Sequence, residues 1–445
     1  MNKIIASVGL VALGAANVQA QTPLSGPPTK WWNVQATVRG FYDDNVNTAP
    51  SNQKGIPVSD PTHIPKDSVF GYELNPKVGM TIGNDQTTFS ADYQYSFLYY
   101  DHDLFGSTKR YDQDHTFNAA LTHNFSERYS IRVRDSFVIG QEPDALRYDA
   151  AFHTPFRVSG NNIVNYGAIV FNAELTPLLG LEVGYDNAWF DYKNQFSVFR
   201  NVSGGIVTPS VSGVLDRIEQ APHIALQWHA MPDTTLSLGY RFQVINYTAD
   251  EQIGGIFQDP LTRIKSADRD LRAHTVYVGV DHQFRPDFYG SAQAGVSYYD
   301  YYNTSSTSFG PYARLSLTYV YMEESSLQAG FQEGRSATDV LGNGGASKND
   351  FTRDAEASVV FVTVRQRIVP HLFANLNGSY QYSTFHGGDV NKQAEEFFEF
   401  GGNLEYQFNP HLSAHAGYDF DRLDSDLGHR SYTRNKVYIG ATASY

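Results

Sequence analysis

Arg132-Val133-Arg134 and Arg365-Gln366-Arg367 place paired guanidinium groups two residues apart. Arg434 and Lys436 repeat the spacing, as do Asp419 and Asp421. A period of two is that of a β-strand, so each pair projects from one face. Carried along the chain, the same parity gathers charges of both signs. Basic residues on this face are Arg39, Lys77, Arg132, Arg134, Arg241, Arg314, Arg365, Arg367, Arg434 and Lys436. The acidic ones include Glu73, Asp92, Glu182, Asp281, Glu399, Glu405 and Asp419. Such a face cannot fill a dry core, because an unpaired buried charge costs several kcal/mol. It needs water beside it. The chemistry it offers is electrostatic: basic ladders facing acidic walls would set a field across an aqueous channel. The plainer alternative is that these residues pair between neighbouring strands and only brace a wall.

Covalent chemistry finds no foothold. His123, His223, His274, His282 and His415 fall within strand-like runs, and no Gly-x-Ser-x-Gly is present. A hydrolase would need a nucleophile, a base and an orienting group. Gly342-Asn343-Gly344-Gly345 lacks the Lys and Ser/Thr of a phosphate loop. Asp421, Asp424 and Asp426 do not have EF-hand spacing and read as a solvated surface run. The chain carries no cysteine and a net charge of −14, which argues against nucleic acid as a partner. No enzyme, cofactor or metal centre is expected.

The elements that carry these charges are strands. Leu236, Leu238, Tyr240, Phe242 and Val244 alternate with Ser237, Gly239, Arg241 and Gln243. Similar runs begin near Phe89, Leu372 and Leu412. Each is long enough for a tilted membrane strand of roughly 9–11 residues. Short connections with turn chemistry, such as Asn84-Asp85-Gln86, Pro232-Asp233 and Asn409-Pro410-His411, alternate with long polar ones such as 44–67, 141–161 and 194–215. The pattern predicts an all-β, transmembrane, antiparallel up-and-down barrel of about eighteen strands, with short periplasmic turns and long extracellular loops. The count is least secure near Pro76 and Pro222, and a total of about sixteen follows if one weak hairpin is loop. A soluble sandwich or solenoid would also alternate, but its apolar face would favour Val, Ile and Leu. Here that face is rich in Tyr, Phe, Ala and Gly, with tyrosines near strand ends.

The two ends of the sequence fit export. Lys3, the apolar run from Ile4 to Ala16 and the small residues up to Ala20 resemble a cleaved signal peptide over 1–20. A short periplasmic segment over 21–31 and a single barrel over 32–445 complete the expected organisation. Too little chain precedes the first strand for a plug domain, so a constriction would come from a loop, 44–67 or 194–215. At the other end Val437, Ile439, Ala441, Ala443 and Tyr445 share the apolar face of a closing strand, paired back to the strand of Val34, Ala36 and Val38. This ending resembles the C-terminal signal recognised by the barrel-assembly machinery. Asp135 stands out on the lipid parity between Val133 and Phe137, which requires a bulge or a place near the membrane edge.

Phe41-Tyr42-Asp43-Asp44-Asn45-Val46 resembles the opening of the putative β-barrel porin 2 family of outer-membrane proteins. The resemblance implies a porin-like role in the Gram-negative outer membrane, with small hydrophilic solutes and membrane lipid as partners, and brings no catalytic residues. It leaves open a barrel whose long loops bind a partner or an envelope polymer. The sequence does not identify the solute, the constricting loop or whether barrels associate.

Overall fold

The computed structural model describes residues 30–54, 63–104, 110–140, 162–193, 210–255, 262–341 and 351–445. The expected signal peptide, nearly all of 21–31 and the stretch 342–345 lie outside them. Eighteen strands form one closed sheet. The first nine are β1 (Trp32–Asp43), β2 (Val69–Gly83), β3 (Thr87–Tyr100), β4 (Tyr111–Asn124), β5 (Tyr129–Gly140), β6 (Asn162–Thr176), β7 (Leu179–Tyr192), β8 (Arg217–Met231) and β9 (Thr234–Tyr247). A small separate hairpin, β10 (Gln252–Gly254) with β11 (Ile264–Lys265), follows. The wall resumes with β12 (Leu271–Arg285), β13 (Phe288–Tyr301), β14 (Ser306–Met322), β15 (Ser325–Ser336) and β16 (Thr352–Val369). It ends with β17 (Leu372–Gly387), β18 (Ala394–Asn409), β19 (Leu412–Ser425) and β20 (Tyr432–Ser444).

Each wall strand pairs antiparallel with its successor, β9 with β12, and β20 returns to β1. Ala36 lies opposite Ala443 and Val38 opposite Ala441. Val34 and Tyr445 exchange backbone hydrogen bonds of 3.1 and 2.8 Å. This is the closure that the C-terminal alternation predicts, and it leaves no free sheet edge.

Alternation sorts the side chains. Val38, Phe70, Tyr72, Val278, Phe309 and Ile439 are all more than half exposed on the outer face. The interior holds water-compatible side chains instead of a second apolar layer, so the outer band faces lipid. At the short-turn end, local chemistry fixes several of the reversals. Asn84 Oδ1 accepts hydrogen bonds from the amides of Gln86 and Thr87, and Thr176 Oγ1 accepts them from Leu178 and Leu179. Asn409 Oδ1 does the same for His411. These are side-chain mimics of a backbone turn.

Pro76 and Pro222 do not break their strands; each interrupts the ladder on one side. Pro76 faces Ala36 on β1, but the β2–β3 register skips from Leu74 to Lys77. Pro222 faces Tyr185 on β7, while the β8–β9 register skips from Gln220 to His223. A proline lacks the donor for one ladder only, so a barrel strand tolerates it.

The long-loop end departs from the expectation of plain polar loops. A one-turn helix α1 (Val211–Leu215), the β10–β11 hairpin and a 3-10 turn at Ser266–Arg269 stand in the long connections at this end. Strand β19 runs on to Ser425. Val214, Leu215, Ile253 and Ile264 pack on the interior side chains of Val164, Tyr166, Phe190 and Tyr192, together with Phe351. Strands β6 and β7 lie far around the wall from β16, so this cluster reaches across the mouth.

Candidate functional site: the lumen wall and its mouth

The charged face predicted from spacing lies opposite the exposed apolar one, and many of its members meet across strands. Arg39 Nε donates to His415 Nε2 at 2.8 Å and stands 3.5 Å from Glu73. Lys77 lies 3.2 Å from Asp92, and Arg241 2.6 Å from Asp186. Arg434 bridges Asp43 at 2.6 Å and Asp421 at 3.9 Å. Arg367 reaches down to the turn residues Glu324 and Glu323, at 3.0 and 3.7 Å. Glu182 approaches His223 at 3.9 Å.

Others meet neutral polar groups or rings. Ser379 Oγ donates to Glu399, and Gln407 Nε2 to Glu405. Arg314, Arg365 and Lys436 lie over the rings of Tyr312, Phe373 and Phe41. The spacing argument does not reach these partners. Arg132 and Asp281 make no ion pair among the described residues, which leaves their charge turned to the interior. Arg134, which shares the face with Arg132, does have a partner.

Above this lining the mouth is narrowed by an ionic and apolar assembly that the sequence did not reveal. Arg269, on the 3-10 turn, is fully buried. Its guanidinium donates to the carbonyls of Val214 at 2.8 Å, Thr338 at 2.7 Å and Arg353 at 3.3 Å. Burial pushes its pKa down, while Tyr247 and Asp354 act in the opposite sense. Arg430 joins Asp339 at 3.3 Å to Glu395. Burial favours its neutral form, but the two carboxylates more than offset this and hold its pKa above the ordinary guanidinium value. Ser210 caps α1 by accepting from the amide of Gly213, and itself donates to Glu251 at 2.6 Å. A polar cavity of about 50 Å³ sits beneath, where Tyr192 and Arg217 from one wall approach Gln381, Ser383, Glu395 and Leu423 from the other.

The motif at 41–46 helps to build this mouth. Phe41 points inward against Tyr100, and Tyr42 points outward against Phe70. Asp43 accepts from Arg434 and from the amide of Asn45. Asn45 Nδ2 donates to the carbonyls of Ala49 and Thr433, which ties the first loop to β20. Val46 is then buried among Val69, Leu98, Tyr100 and Leu104. Of the two loops expected to constrict, the described parts of both fold inward.

On the outer face, Val437, Ile439, Ala441, Ala443 and Tyr445 form one file, and Tyr445 packs near Trp32 under the Nζ of Lys30. Asp135 does not sit at a bulge. The register runs unbroken through it on both sides, and Val133 and Phe137 share its outer face. Among the described residues no group of His, Cys, Asp and Glu is arranged to hold a metal. Asp424 pairs with Arg422, and Asp426 accepts from the amide of Ala394.

Residues 337–445 match the family model described as putative beta-barrel porin 2. That segment covers β16 to β20, the strands that close the barrel and carry Arg434, Lys436 and the terminal file. The motif at 41–46 lies outside it but is bonded to it through Arg434 and Thr433. The chain is a closed antiparallel β-barrel of eighteen strands whose closing strands are similar to that family. No curated protein matches it in sequence. Among solved structures, it aligns with OccAB4 of Acinetobacter baumannii at 12% identity and a TM-score of 0.43, covering 94% of this chain and 99% of that one. A mutant of the ferric enterobactin receptor PfeA from Pseudomonas aeruginosa aligns at 9% and 0.42, covering 93% and 80%. The FrpB iron transporter of Neisseria meningitidis aligns at 10% and 0.41, covering 94% and 82%.

Proposed function

We propose that the protein is a passive outer-membrane channel for small hydrophilic solutes, entered from the long-loop side. One observation carries this reading: the interior face is charged and polar on nearly every strand, and its ion pairs run along the wall instead of filling the centre. A barrel of this strand number has room for water inside. The residues named above as the charged face would line that water, and the mouth assembly would set the narrowest section. Arg132, free of an ion partner among the described residues, is then a natural determinant of ion preference, with Arg134 beside it. In this reading Tyr445 and its file serve assembly into the lipid bilayer, as the substrate of the barrel-assembly machinery, after removal of a signal peptide.

The test is conductance. Purified protein in a planar bilayer gives ohmic steps under this proposal, and a barrel that inserts without conducting overturns it. Replacing Arg132 and Arg134 together by alanine moves the reversal potential toward cation preference; an unchanged potential places both in the wall. Removing Tyr445 lowers the amount of folded protein in the outer membrane, and normal levels would contradict the assembly role. A second reading draws on the packing of α1, the β10–β11 hairpin and Phe351 across the mouth: a sealed barrel whose loops form a binding surface. Absence of conductance from correctly folded protein would favour it.

A further inference from the structure

On the outer face, β9, β12 and β13 leave a groove of about 540 Å³ at their long-loop ends, lined by Phe242, Val244, Asn246, Arg272, His274 and Tyr302. Its polar groups are donors with unused capacity. Arg272 lies over the ring of Tyr302, 4.5 Å from its centroid, and its guanidinium makes no hydrogen bond or ion pair among the described residues. His274 Nδ1 meets the hydroxyl of Tyr240 at 2.8 Å, which leaves Nε2 open. Asn246 Oδ1 accepts from the Tyr302 hydroxyl at 2.7 Å, which leaves Nδ2 open. Tyr302 thus reaches from the end of β13 across the start of β12 to β9. The rest of the groove is apolar, with Phe242 packed on the ring of His274 at 5.0 Å.

Arg272 differs from its counterparts. Two other arginines have outward parity at this end, and carboxylates hold both: Asp354 and Glu356 hold Arg335, and Asp424 holds Arg422. Asp300 stands opposite Arg272 in the ladder but forms no ion pair with it. The file that Arg272 begins sets its depth. It runs through His274, Val276, Val278 and Val280 to His282, and Val276 and Val278 are at least half exposed. Arg272 and His282 are ten residues apart, about 25 Å along the membrane normal for a strand tilted by about 40°. That is the height of an apolar band, so Arg272 stands at its long-loop edge, where headgroups begin. Phe242 and Tyr298 flank His274 in the ladder, as an aromatic girdle does at an interface.

We infer that this groove holds the phosphate of a lipid in the leaflet on the long-loop side. The planar fork of Arg272 matches two phosphate oxygens at once. Asn246 Nδ2 adds a donor, and His274 Nε2 another, since it carries the hydrogen when Nδ1 accepts from Tyr240. An attached acyl chain finds Phe242 and Val276 directly below the donors, whereas a free phosphate gains nothing from them. Asp300 opposes an anion at this place and lowers the affinity.

Native mass spectrometry of the full chain, extracted in mild detergent and mixed with bis-phosphorylated lipid A, is expected to show one retained lipid. Loss of the bidentate contact in Arg272→Gln should lower retention about tenfold. The same lipid stripped of its phosphates should be retained as weakly by the parent protein. Arg422→Gln, an equal change of charge at the same edge, should leave retention unaltered, and Asp300→Asn should raise it. Each variant is checked for the heat-modifiable migration of a folded barrel. Should Arg272→Gln not fold, Arg272→Lys carries the test, since it keeps the charge and loses the fork. Inorganic phosphate in excess is expected not to displace the lipid. Equal retention of the two lipids, equal losses at Arg272 and Arg422, or displacement by phosphate alone overturns the inference. None of these readouts depends on conductance, so the inference and the channel reading fail separately.

Discussion

The two ends of the barrel are built by different physics. At the short-turn end several reversals are settled within a few residues: Asn84, Thr176 and Asn409 accept hydrogen bonds from amides two or three positions ahead. At the long-loop end the decisive contacts join segments remote in sequence. Arg269 alone binds carbonyls 55, 69 and 84 residues away. One end is a set of independent hairpins; the other is a single cooperative assembly laid over the lumen. A change at the first should stay local, whereas a change at the second should spread to several loops.

Arg269→Met gives the largest effect. It leaves three buried carbonyls without donors, at roughly 1–3 kcal/mol each. Removing a buried charge offsets part of that, so the mouth should lose about 3 kcal/mol. Hydrogen exchange is expected to accelerate together in 211–216, 336–341 and 351–354, while the turns at 84–87 and 409–412 keep their protection. Acceleration confined to 266–269 would show that the loops are independent after all. Conductance of the variant should rise if the mouth is the narrowest section.

Arg430→Gln probes the same assembly from β19–β20. Asp339 and Glu395 lose their shared cation, and the side chain is mostly buried, so the cost should be about 2 kcal/mol. Exchange at 336–341 and 426–431 is expected to quicken, with a smaller response at α1 than Arg269→Met produces. An equal response at α1 would mean that the two arginines brace one rigid body.

The same contrast explains what could be read from the sequence. Strands were legible because the alternation is local, as in Leu236 to Val244, and because Val437 to Tyr445 is unambiguous at the closing edge. Turn positions followed from Pro, Asn and Asp. The charged face followed from parity alone. Its partners did not, since Arg39 meets His415 and Arg434 meets Asp43 only after closure has joined β20 to β1. Arg269 was invisible for a further reason: its acceptors are backbone carbonyls, which leave no trace in residue type. The usable signal would have been apolar side chains such as Ile253, Ile264 and Phe351 inside otherwise polar loops. Asp135 was noticed as an exception, but the amide that meets it, Asn165, is brought there by the β5–β6 register.

A substitution at the turn end should act with the opposite sign and remain local. His371 sits between β16 and β17 at φ 72°, in the left-handed region. His371→Gly removes that strain, and denaturant unfolding is expected to show a gain of about 0.5–1 kcal/mol. Exchange elsewhere should be unaltered. A loss of stability would mean that the imidazole contributes more than its backbone costs.

The smallest expected effect is a pH response at the long-loop end. His102 meets Asp67 at 2.9 Å and Asp101 at 2.8 Å, joining the segments that flank β2 and β3. The hydrogen bond to Asp67, with help from the charge of Asp101, raises its pKa above 6.5. A histidine whose pKa is raised by folding stabilises fully below its unfolded value, and that stabilisation is lost as pH rises through the folded value. Protection of the Asp101 amide, which donates to the carbonyl of Phe70, should therefore be constant in mild acid and fall as pH climbs past neutrality. The site is partly exposed, so screening keeps the change small. His102→Gln should flatten the profile. If the fall persists in that variant, the titrating group belongs to the larger assembly over the lumen, and the division between local and cooperative anchoring would move one loop further around the barrel.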